Sequence, residues 1–290
     1  MVNVSVVIPT YNCAEYIINA INSVLNQFYK DFEIVVVDDG STDKTKEVLR
    51  PYIEHGIIRY IYQKNKGLPG ARNTAIKHAN GEFIALLDAD DELPSESLEK
   101  CFFALTQSGA DWCITDILRL ENGKEEIRRS QVPEDDYFIN ILKRDFIRRA
   151  FFFKKKVFFE IGLYDEAMIN REDWDINIRF IEANKKFLYI TEPLYKYKIR
   201  KNSITKNNTQ KMLFFTKKLL QKHHKYLSDN GNKKVAKIYS DQMWNLARRY
   251  LYELRDVSNF ICCLRESMKY DFNPLRFINP LSVRLKGLIK

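Results

Sequence analysis

The sequence contains little cysteine and histidine, and this shortage excludes several classes of protein. Among 290 residues there are five cysteines and four histidines. The cysteines are odd in number and show no Cys-x-x-Cys spacing, so neither a disulfide framework nor a zinc site is predicted. The composition is otherwise that of an ordinary globular protein, with 45% hydrophobic and 29% charged residues. We therefore expect free thiols in a reducing compartment.

Long apolar segments are absent as well. The apolar runs are far shorter than the roughly 20 residues that a membrane-spanning helix requires. The first residues show neither the basic nor the apolar region of a secretion signal. These absences predict a cytoplasmic protein.

Two glycine-rich phosphate-binding loops are also missing. No Gly-x-Gly-x-x-Gly pattern follows the first predicted strand, which counts against a nicotinamide or flavin enzyme. A Walker A loop is absent too. A phosphate-bearing ligand must therefore be held by other means, and a bound cation is the natural substitute for a glycine cradle.

The sequence does contain a regular alternation of strands and helices. Apolar strands are predicted at 2–8 (ended by Pro9), 33–37, 57–62 and 83–87, with amphipathic helices between them. This spacing is typical of βαβ units, so we predict an α/β fold with a mostly parallel sheet flanked by helices. The mostly charged segment 121–136 shows no apolar periodicity and is predicted to be a mobile lid or an acceptor-side insertion.

Four acidic residues follow the strand predicted at 83–87. They are Asp88, Asp90, Asp91 and Glu92. Carboxylates this close raise each other's pKa unless a cation or hydrogen-bond donors neutralise them. Asp88 and Asp90 point to the same side of an extended chain, and their oxygens suit Mg²⁺ or Mn²⁺ with room for water and a phosphate. The alternative is a solvated turn that caps the next helix.

Polar residues gather at three predicted strand ends. These groups are Thr10–Asn12, Asp38–Gly40 and Asp88–Glu92. In parallel sheets, ligands bind beyond the carboxyl ends of the strands, near the point where the strand order reverses. One crevice could therefore receive all three groups.

Five motifs occur in order along the chain: Val4–Asn12, Val35–Asp43, Asn65–Asn73, Leu87–Asp91 and Arg171–Trp174. Together they resemble the family 2 glycosyltransferases, which have the GT-A (Rossmann-like) fold, over roughly residues 2–205. The resemblance implies a nucleotide-sugar donor, usually a UDP-sugar, and an inverting single displacement. It also implies a divalent cation, Mn²⁺ or Mg²⁺, on the diphosphate.

The resemblance assigns a donor-binding role to one set of residues: Pro9, Tyr11, Asp39, Asn65, Gly67, Arg72, Asp88 and Ala89. Within it, Tyr11 would stack on the base and Asp39 would accept a hydrogen bond from the base edge. Asp90 would be the principal metal ligand, with Asp88 near the ribose or the metal. Ordinary explanations stay open: Tyr11 in the core, Asp39 in an Asp-Gly turn, and Arg72 as a helix-surface charge.

The resemblance further implies that Asp173 is the general base and that Glu172 supports it. The reaction needs one carboxylate to remove the proton of the acceptor hydroxyl as it attacks the anomeric carbon. The alternative is structural, because acids at the start of a helix are favoured by the helix dipole and as caps.

One departure from the family pattern occurs near residue 200. Arg200 stands where the family often has a histidine. Arginine does not ligate metals but pairs bidentately with phosphate, so we predict that Arg200, with Lys201 and Ser203, closes over the diphosphate. The histidines then have no evident catalytic place, and His223 and His224 are expected on a solvated helix.

The C-terminal region is predicted to be a helical extension at 208–290, following a catalytic domain at 1–207. The net charge of +9 is uneven, since residues 196–225 contain ten Lys or Arg and no acid. The apolar residues of the tail (Leu275, Phe277, Leu281, Leu285 and Leu288) could rest on an anionic membrane at the inner face of the plasma membrane. A helical cap or a homodimer surface is the alternative. Nucleic acid is not expected, because aromatic residues do not alternate with the basic ones.

The sequence thus predicts a metal-assisted, inverting glycosyltransferase that acts on a hydroxyl of a glycan or lipid-linked acceptor. Two other classes stay open. One is a nucleotidyltransferase with a similar sheet, and the other is a non-catalytic protein that binds nucleotides or nucleic acid.

Overall fold

The computed structural model describes residues 2–199 and 209–271. These residues group into two compact units. The first unit comprises 2–137 and 145–199, and the second comprises 138–144 and 209–271. The domain boundary predicted at residue 207 lies outside the described residues.

An eight-stranded sheet forms the centre of the first unit. Its strands are β1 (Val4–Thr10), β2 (Phe32–Asp38), β3 (Arg59–Tyr62), β4 (Phe83–Leu86), β5 (Trp112–Glu121), β6 (Lys124–Arg128), β7 (Arg149–Lys154) and β8 (Phe187–Ile199). Their order is β3-β2-β1-β4-β7-β5-β6, and β8 pairs with β5. The first four strands are parallel, whereas β7 is antiparallel to β4 and β5. The predicted α/β fold is confirmed.

Helices flank this sheet. In chain order they are α1 (Ile17–Leu25), α2 (Thr45–Glu54), α3 (Gly67–His78), α4 (Ser97–Ser108), α6 (Lys155–Ile161) and α7 (Glu172–Glu182). The helix α5 (Tyr137–Lys143) falls almost wholly in the second unit. The apolar periodicity behaves as predicted in α1, which buries Ile17, Ile21 and Val24. The strands β1 and β4 are buried along their whole length, as expected for the middle of a parallel sheet.

Pro9 does not end the first strand, contrary to the prediction. The strand β1 pairs with β2 as far as Thr10 but with β4 only as far as Val7. Val7 accepts its ladder bond from Leu87, on the β4 side, and position 9 faces that same side beyond the end of β4. Proline has no N–H to continue the ladder with β4, whereas the pairing with β2 continues past it to Thr10.

The segment 121–136 is not wholly a loop, which corrects a second expectation. The strand β6 lies inside it and forms an antiparallel hairpin with β5. Asn122 and Gly123 make the turn with φ values of 51° and 77°. Two left-handed residues in sequence are what a tight two-residue hairpin requires, and Asn-Gly is the preferred pair.

The second unit is helical. After residue 208 it contains α8 (Thr209–Leu220), a π-helical turn (Gln221–Lys225), α9 (Tyr226–Asp229), α10 (Lys233–Glu253) and α11 (Val257–Tyr270). Of the helices that the structure describes, none combines the length and the apolar character needed to cross a membrane. The tail residues predicted to contact a membrane, from Leu275 to Leu288, lie outside the described residues.

His223 and His224 are buried, so the expectation of a solvated helix is wrong for both. They lie in the π-helical turn, and the Nε2 atom of His224 is 2.6 Å from the carbonyl oxygen of Leu142. Burial lowers the pKa of His224 to about 4, so its ring is neutral at pH 7. Gln242 also donates to the carbonyls of Leu142 and Lys143, and both contacts anchor the segment 138–144 within this unit.

Candidate active site

The loops that follow β1 and β2 are joined through Asn12. Its side-chain Oδ1 accepts from the backbone N–H of Thr42 at 2.8 Å, and its own N–H donates to Ser41. Asn12 has a left-handed backbone with φ 52°, which asparagine tolerates better than most residues. The turn leaves Tyr11 49% exposed just beyond β1, while Pro9 is buried within the strand. Tyr11 is therefore not part of the core.

Asp39 is buried beyond the end of β2, and its Oδ1 atom accepts two hydrogen bonds. The donors are the side-chain amide of Gln63 at 2.6 Å and the backbone N–H of Lys66 at 2.8 Å. The next residues turn into α3, where Asn65 accepts from the N–H of Gly67. Gly67 has φ 77°, a conformation that favours glycine.

Arg72 is 1% exposed on α3 and joins two of the predicted acids. Its Nη2 atom donates to Asp88 Oδ1 at 2.9 Å, and its Nη1 atom donates to Asp173 Oδ1 at 2.6 Å. Glu172 lies 3.8 Å from the same guanidinium. The alternative of a surface charge on a helix is excluded for Arg72.

Asp88 has a second arginine partner that the sequence did not reveal. The Nη2 atom of Arg149, at the start of β7, donates to Asp88 Oδ2 at 2.9 Å. Arg149 also lies 3.9 Å from Asp173. Burial raises the pKa of Asp88, but Arg149 and Arg72 more than offset it, so this pKa lies well below its usual range.

Tyr195 connects this ion-pair network to the acid at position 91. Its hydroxyl accepts from the backbone N–H of Asp88 and from Arg149, and it donates to Asp91 Oδ2 at 2.9 Å. The guanidinium of Arg149 also lies 4.3 Å from the centre of the Tyr195 ring. Burial and the nearby charge of Asp88 raise the pKa of Asp91 to about 7.

Asp173 and Glu172 begin α7, where Arg171 precedes them with φ 67°. The side chain of Asp173 is 48% exposed, which leaves it accessible to a hydroxyl group, whereas that of Glu172 is 15% exposed. Burial, together with the adjacent Asp173, raises the pKa of Glu172 to about 7. The two neighbouring carboxyls therefore differ in environment, which is typical of acid–base sites.

The side chains suit a divalent cation only in a limited way. Within residues 2–199 and 209–271, no three His, Cys, Asp or Glu side chains are grouped so that they could hold a metal by themselves. Both oxygens of Asp88 already accept from arginines. Asp90 is half-buried in the next turn. The donor set fits a cation held mostly by diphosphate and water oxygens with one protein carboxylate, as is common for Mg²⁺.

The structure thus brings Arg72, Asp88, Asp173 and Glu172 into one network, with Asp39 and Tyr11 at neighbouring strand ends. Ala89 is buried within the acidic turn. Arg200 and Ser203 lie outside the described residues.

Sequence reasoning missed Gln63, Arg149 and Tyr195. No motif marks Arg149 and Tyr195, whereas Gln63 directly precedes the conspicuous Asn65–Gly67 turn.

The fold class follows from a comparison with solved structures. The crystal structure of S. aureus TarS 1-349 in complex with UDP-GlcNAc matches with a TM-score of 0.63 and 17% identity, covering 92% of each chain. The predicted GT-A fold is confirmed. At this level of identity the likeness concerns the fold.

The family is shown by sequence comparison. The family described as Glycosyl transferase family 2 matches residues 5–175. An uncharacterized glycosyltransferase of Methanocaldococcus jannaschii, MJ1057, is 34% identical over 241 residues, which cover 78% of this chain and 82% of the relative. Glycosyltransferase GlyA of Streptococcus pneumoniae serotype 4 is 26% identical over 227 residues, which cover 72% of this chain and 32% of GlyA. The chain thus spans about a third of that relative.

This chain belongs to glycosyltransferase family 2. The predicted family and the predicted enzyme class are both confirmed.

Proposed function

We propose that the enzyme transfers a sugar from a UDP-sugar to a hydroxyl of a glycan or lipid-linked acceptor, with inversion at the anomeric carbon and with Asp173 as the general base. The observation that carries this proposal is the position of Asp173. Its carboxylate is half-exposed and accepts a hydrogen bond from Arg72 at 2.6 Å. The same guanidinium also binds Asp88, beyond the carboxyl end of β4. A base must be both fixed and reachable by its proton donor, and Asp173 meets both requirements.

The nucleotide would lie across the ends of β1 and β2. Tyr11 offers an exposed ring for stacking, and the carboxylate of Asp39 offers an acceptor for a base N–H. The complexes of TarS with UDP and with UDP-GlcNAc support a uridine donor for a chain of the same fold.

A divalent cation, Mn²⁺ or Mg²⁺, would be held by Asp90 and the donor diphosphate. When bound, it would stabilise the negative charge that develops on the departing diphosphate. The pair of arginines keeps Asp88 ionised and fixed beside this position. Both oxygens of Asp88 thus accept hydrogen bonds from Arg72 and Arg149. Its contact with the ribose or the metal stays a prediction.

The cytoplasm is proposed as the location, supported by five cysteines that form no disulfide with one another. Contact with an anionic membrane surface is part of the same proposal. It is supported by the second unit, whose described residues contain 15 Lys or Arg and 6 Asp or Glu. A lipid-linked acceptor would be reached more readily by an enzyme attracted to that surface.

The proposal can be tested by UDP release from a panel of UDP-sugars in the presence of Mn²⁺. We expect slow, metal-dependent hydrolysis of one donor, and loss of this activity in Asp90→Ala. Release of pyrophosphate from a nucleoside triphosphate would instead indicate a nucleotidyltransferase. Binding of UDP without turnover of any donor, with or without a glycan acceptor, would contradict the proposal.

A further inference from the structure

Gln63 lies directly beyond β3 and between two other polar side chains. Its Nε2 atom donates to Asp39 Oδ1 at 2.6 Å, and its Oε1 atom accepts from the Thr74 hydroxyl at 2.6 Å. Its backbone N–H donates to the carbonyl of Asp38 at 2.9 Å. The main chain of Gln63 is therefore bonded to the last residue of β2, and its side chain to the residue that follows.

The orientation of this amide follows from chemistry. The NH₂ group of Gln63 faces Asp39, because it donates to a carboxylate oxygen there, which the amide oxygen cannot do. The amide oxygen then faces Thr74, and the Thr74 hydroxyl must donate. The chain of donors thus runs from Thr74 on α3 through Gln63 to Asp39.

This series of hydrogen bonds leaves one oxygen of Asp39 available to a ligand. Oδ1 is occupied by Gln63 and by the N–H of Lys66. Oδ2 accepts no hydrogen bond from any residue in the described parts of the chain. Because Oδ1 is held from two directions, the carboxylate cannot rotate freely, and Oδ2 keeps one direction.

Gly40 allows the loops to approach this closely. A Cβ atom at this position would lie 3.1 Å from the backbone nitrogen of Asn65 and 3.4 Å from the carbonyl oxygen of Gln63. Gly40 also has φ 81°, which other residues rarely adopt. The contact between Gln63 and Asp39 is therefore built into the backbone of the two loops.

We propose that Gln63 is a positioning residue for nucleobase selection. By holding Asp39 with only Oδ2 available, it makes the site select a base that presents an N–H, such as uracil, over one that presents a bare ring nitrogen at the same edge, such as cytosine. If Oδ2 of Asp39 is held in place, it repels a bare ring nitrogen, because both atoms are hydrogen-bond acceptors. A carboxylate that is free to rotate would instead tolerate both bases. This inference rests on the proposed nucleotide site.

Binding of UDP and of CDP to the 290-residue chain with Mn²⁺, measured by calorimetry, tests the proposal. We expect the natural protein to bind UDP at least about tenfold more tightly than CDP. Gln63→Leu is expected to weaken UDP binding by about tenfold and to bring the ratio of the two affinities close to one. Thr74→Val removes the donor that orients the amide and is expected to reduce the ratio by about threefold.

Thr74→Ser is the matched control, because it retains the hydroxyl and is expected to keep the full preference for UDP. Melting temperatures of all variants separate loss of positioning from loss of folding. A Gln63→Leu protein that folds and still prefers UDP as strongly as the natural protein would overturn the role of Gln63 while leaving the proposed function intact. Absence of binding by either nucleotide to the natural protein would overturn the proposed function, and this inference with it.

Discussion

The site has two ends that are built differently. At the end proposed to bind the nucleotide, which we call the nucleotide end and define as Tyr11, Asn12, Asp39 and Gln63, one carboxylate is held by neutral donors and the ring of Tyr11 is exposed. At the reaction end, which we define as Arg72, Asp88, Arg149 and Asp173, two guanidinium groups and two carboxylates form a largely buried network.

This difference suggests a division of labour. In the proposed function, neutral hydrogen bonds and a stacking ring would provide moderate, reversible affinity for a nucleotide that must leave after each turnover. Buried ion pairs instead fix geometry strongly, because losing one partner leaves an uncompensated charge away from water. Substitutions at the nucleotide end should therefore change binding, and those at the reaction end should change turnover or folding.

The largest expected effect is on turnover. Asp173→Asn keeps the shape of the side chain but removes the proposed base, so the turnover number should fall by about 10²–10⁴-fold. The dissociation constant for UDP, measured by calorimetry, should change little. If the variant retained full transfer activity with its identified donor and acceptor, the assignment of the base would be wrong.

The next effect is on stability. Arg149→Met leaves Asp88 paired with Arg72 alone and removes one charge-assisted hydrogen bond in a largely buried position, so the free energy of unfolding should fall by about 1–3 kcal/mol. Urea unfolding measures this change. The control is Arg128→Met, which breaks an exposed pair with Glu126 and should cost less than about 1 kcal/mol. Similar losses in both variants would show that the reaction end is no more rigid than the surface.

An effect of similar size, on binding, is expected at the nucleotide end. Tyr11→Ala should weaken UDP binding by about 1–3 kcal/mol through loss of stacking, whereas Tyr11→Phe should bind normally. Thermal unfolding should be nearly unchanged, because the ring is half-exposed. Phe28→Ala, which removes another exposed ring ahead of β2, is the control and should leave UDP binding unaffected. Equal binding by the natural protein and Tyr11→Ala would contradict the stacking role.

The smallest effect concerns pH and Asp91, which borders the reaction end. The folded protein holds a proton on this carboxyl up to a pKa of about 7, whereas the unfolded chain releases it near 3.8. The folded state thus binds more protons between these values, and the free energy of unfolding falls as the pH rises through this window.

Asp91→Asn cannot ionise and should lose less stability over the same window, by at most about 1.4 kcal/mol per pH unit. Urea unfolding of both proteins at pH 5 and pH 7 provides the measurement. The raised pKa of Glu172 affects both proteins equally, so the difference between their pH dependences reports on Asp91 alone. Parallel pH curves would mean that Asp91 is ionised in the folded protein throughout.

Much of the fold was predictable from the sequence, because apolar strands and amphipathic helices alternate at the spacing of βαβ units. The hairpin at Asn122 and Gly123 was also predictable from the Asn-Gly pair, although the surrounding charged residues obscured it. The path of β1 through Pro9 was not, since it depends on where the neighbouring strand β4 ends.

The site was predictable only where motifs mark it. Arg72, Asp88 and Asp173 stand in recognisable patterns, and the structure brings them together, while their roles in the reaction stay predictions. Arg149 could not be found in this way. It lies on a strand that is antiparallel to β4, and only the order of the strands places it beside Asp88. The burial of His224 likewise depends on a segment some eighty residues earlier.

The sequence separation of the contacts in the site has a consequence for biosynthesis. Gln63 contacts Asp39 across 24 residues, whereas Arg72 contacts Asp173 across 101 and Tyr195 contacts Asp91 across 104. Contacts between distant positions close later than local ones, and a chain folds as it leaves the ribosome. The nascent chain can therefore complete the proposed nucleotide end before it contains all the residues of the proposed reaction end.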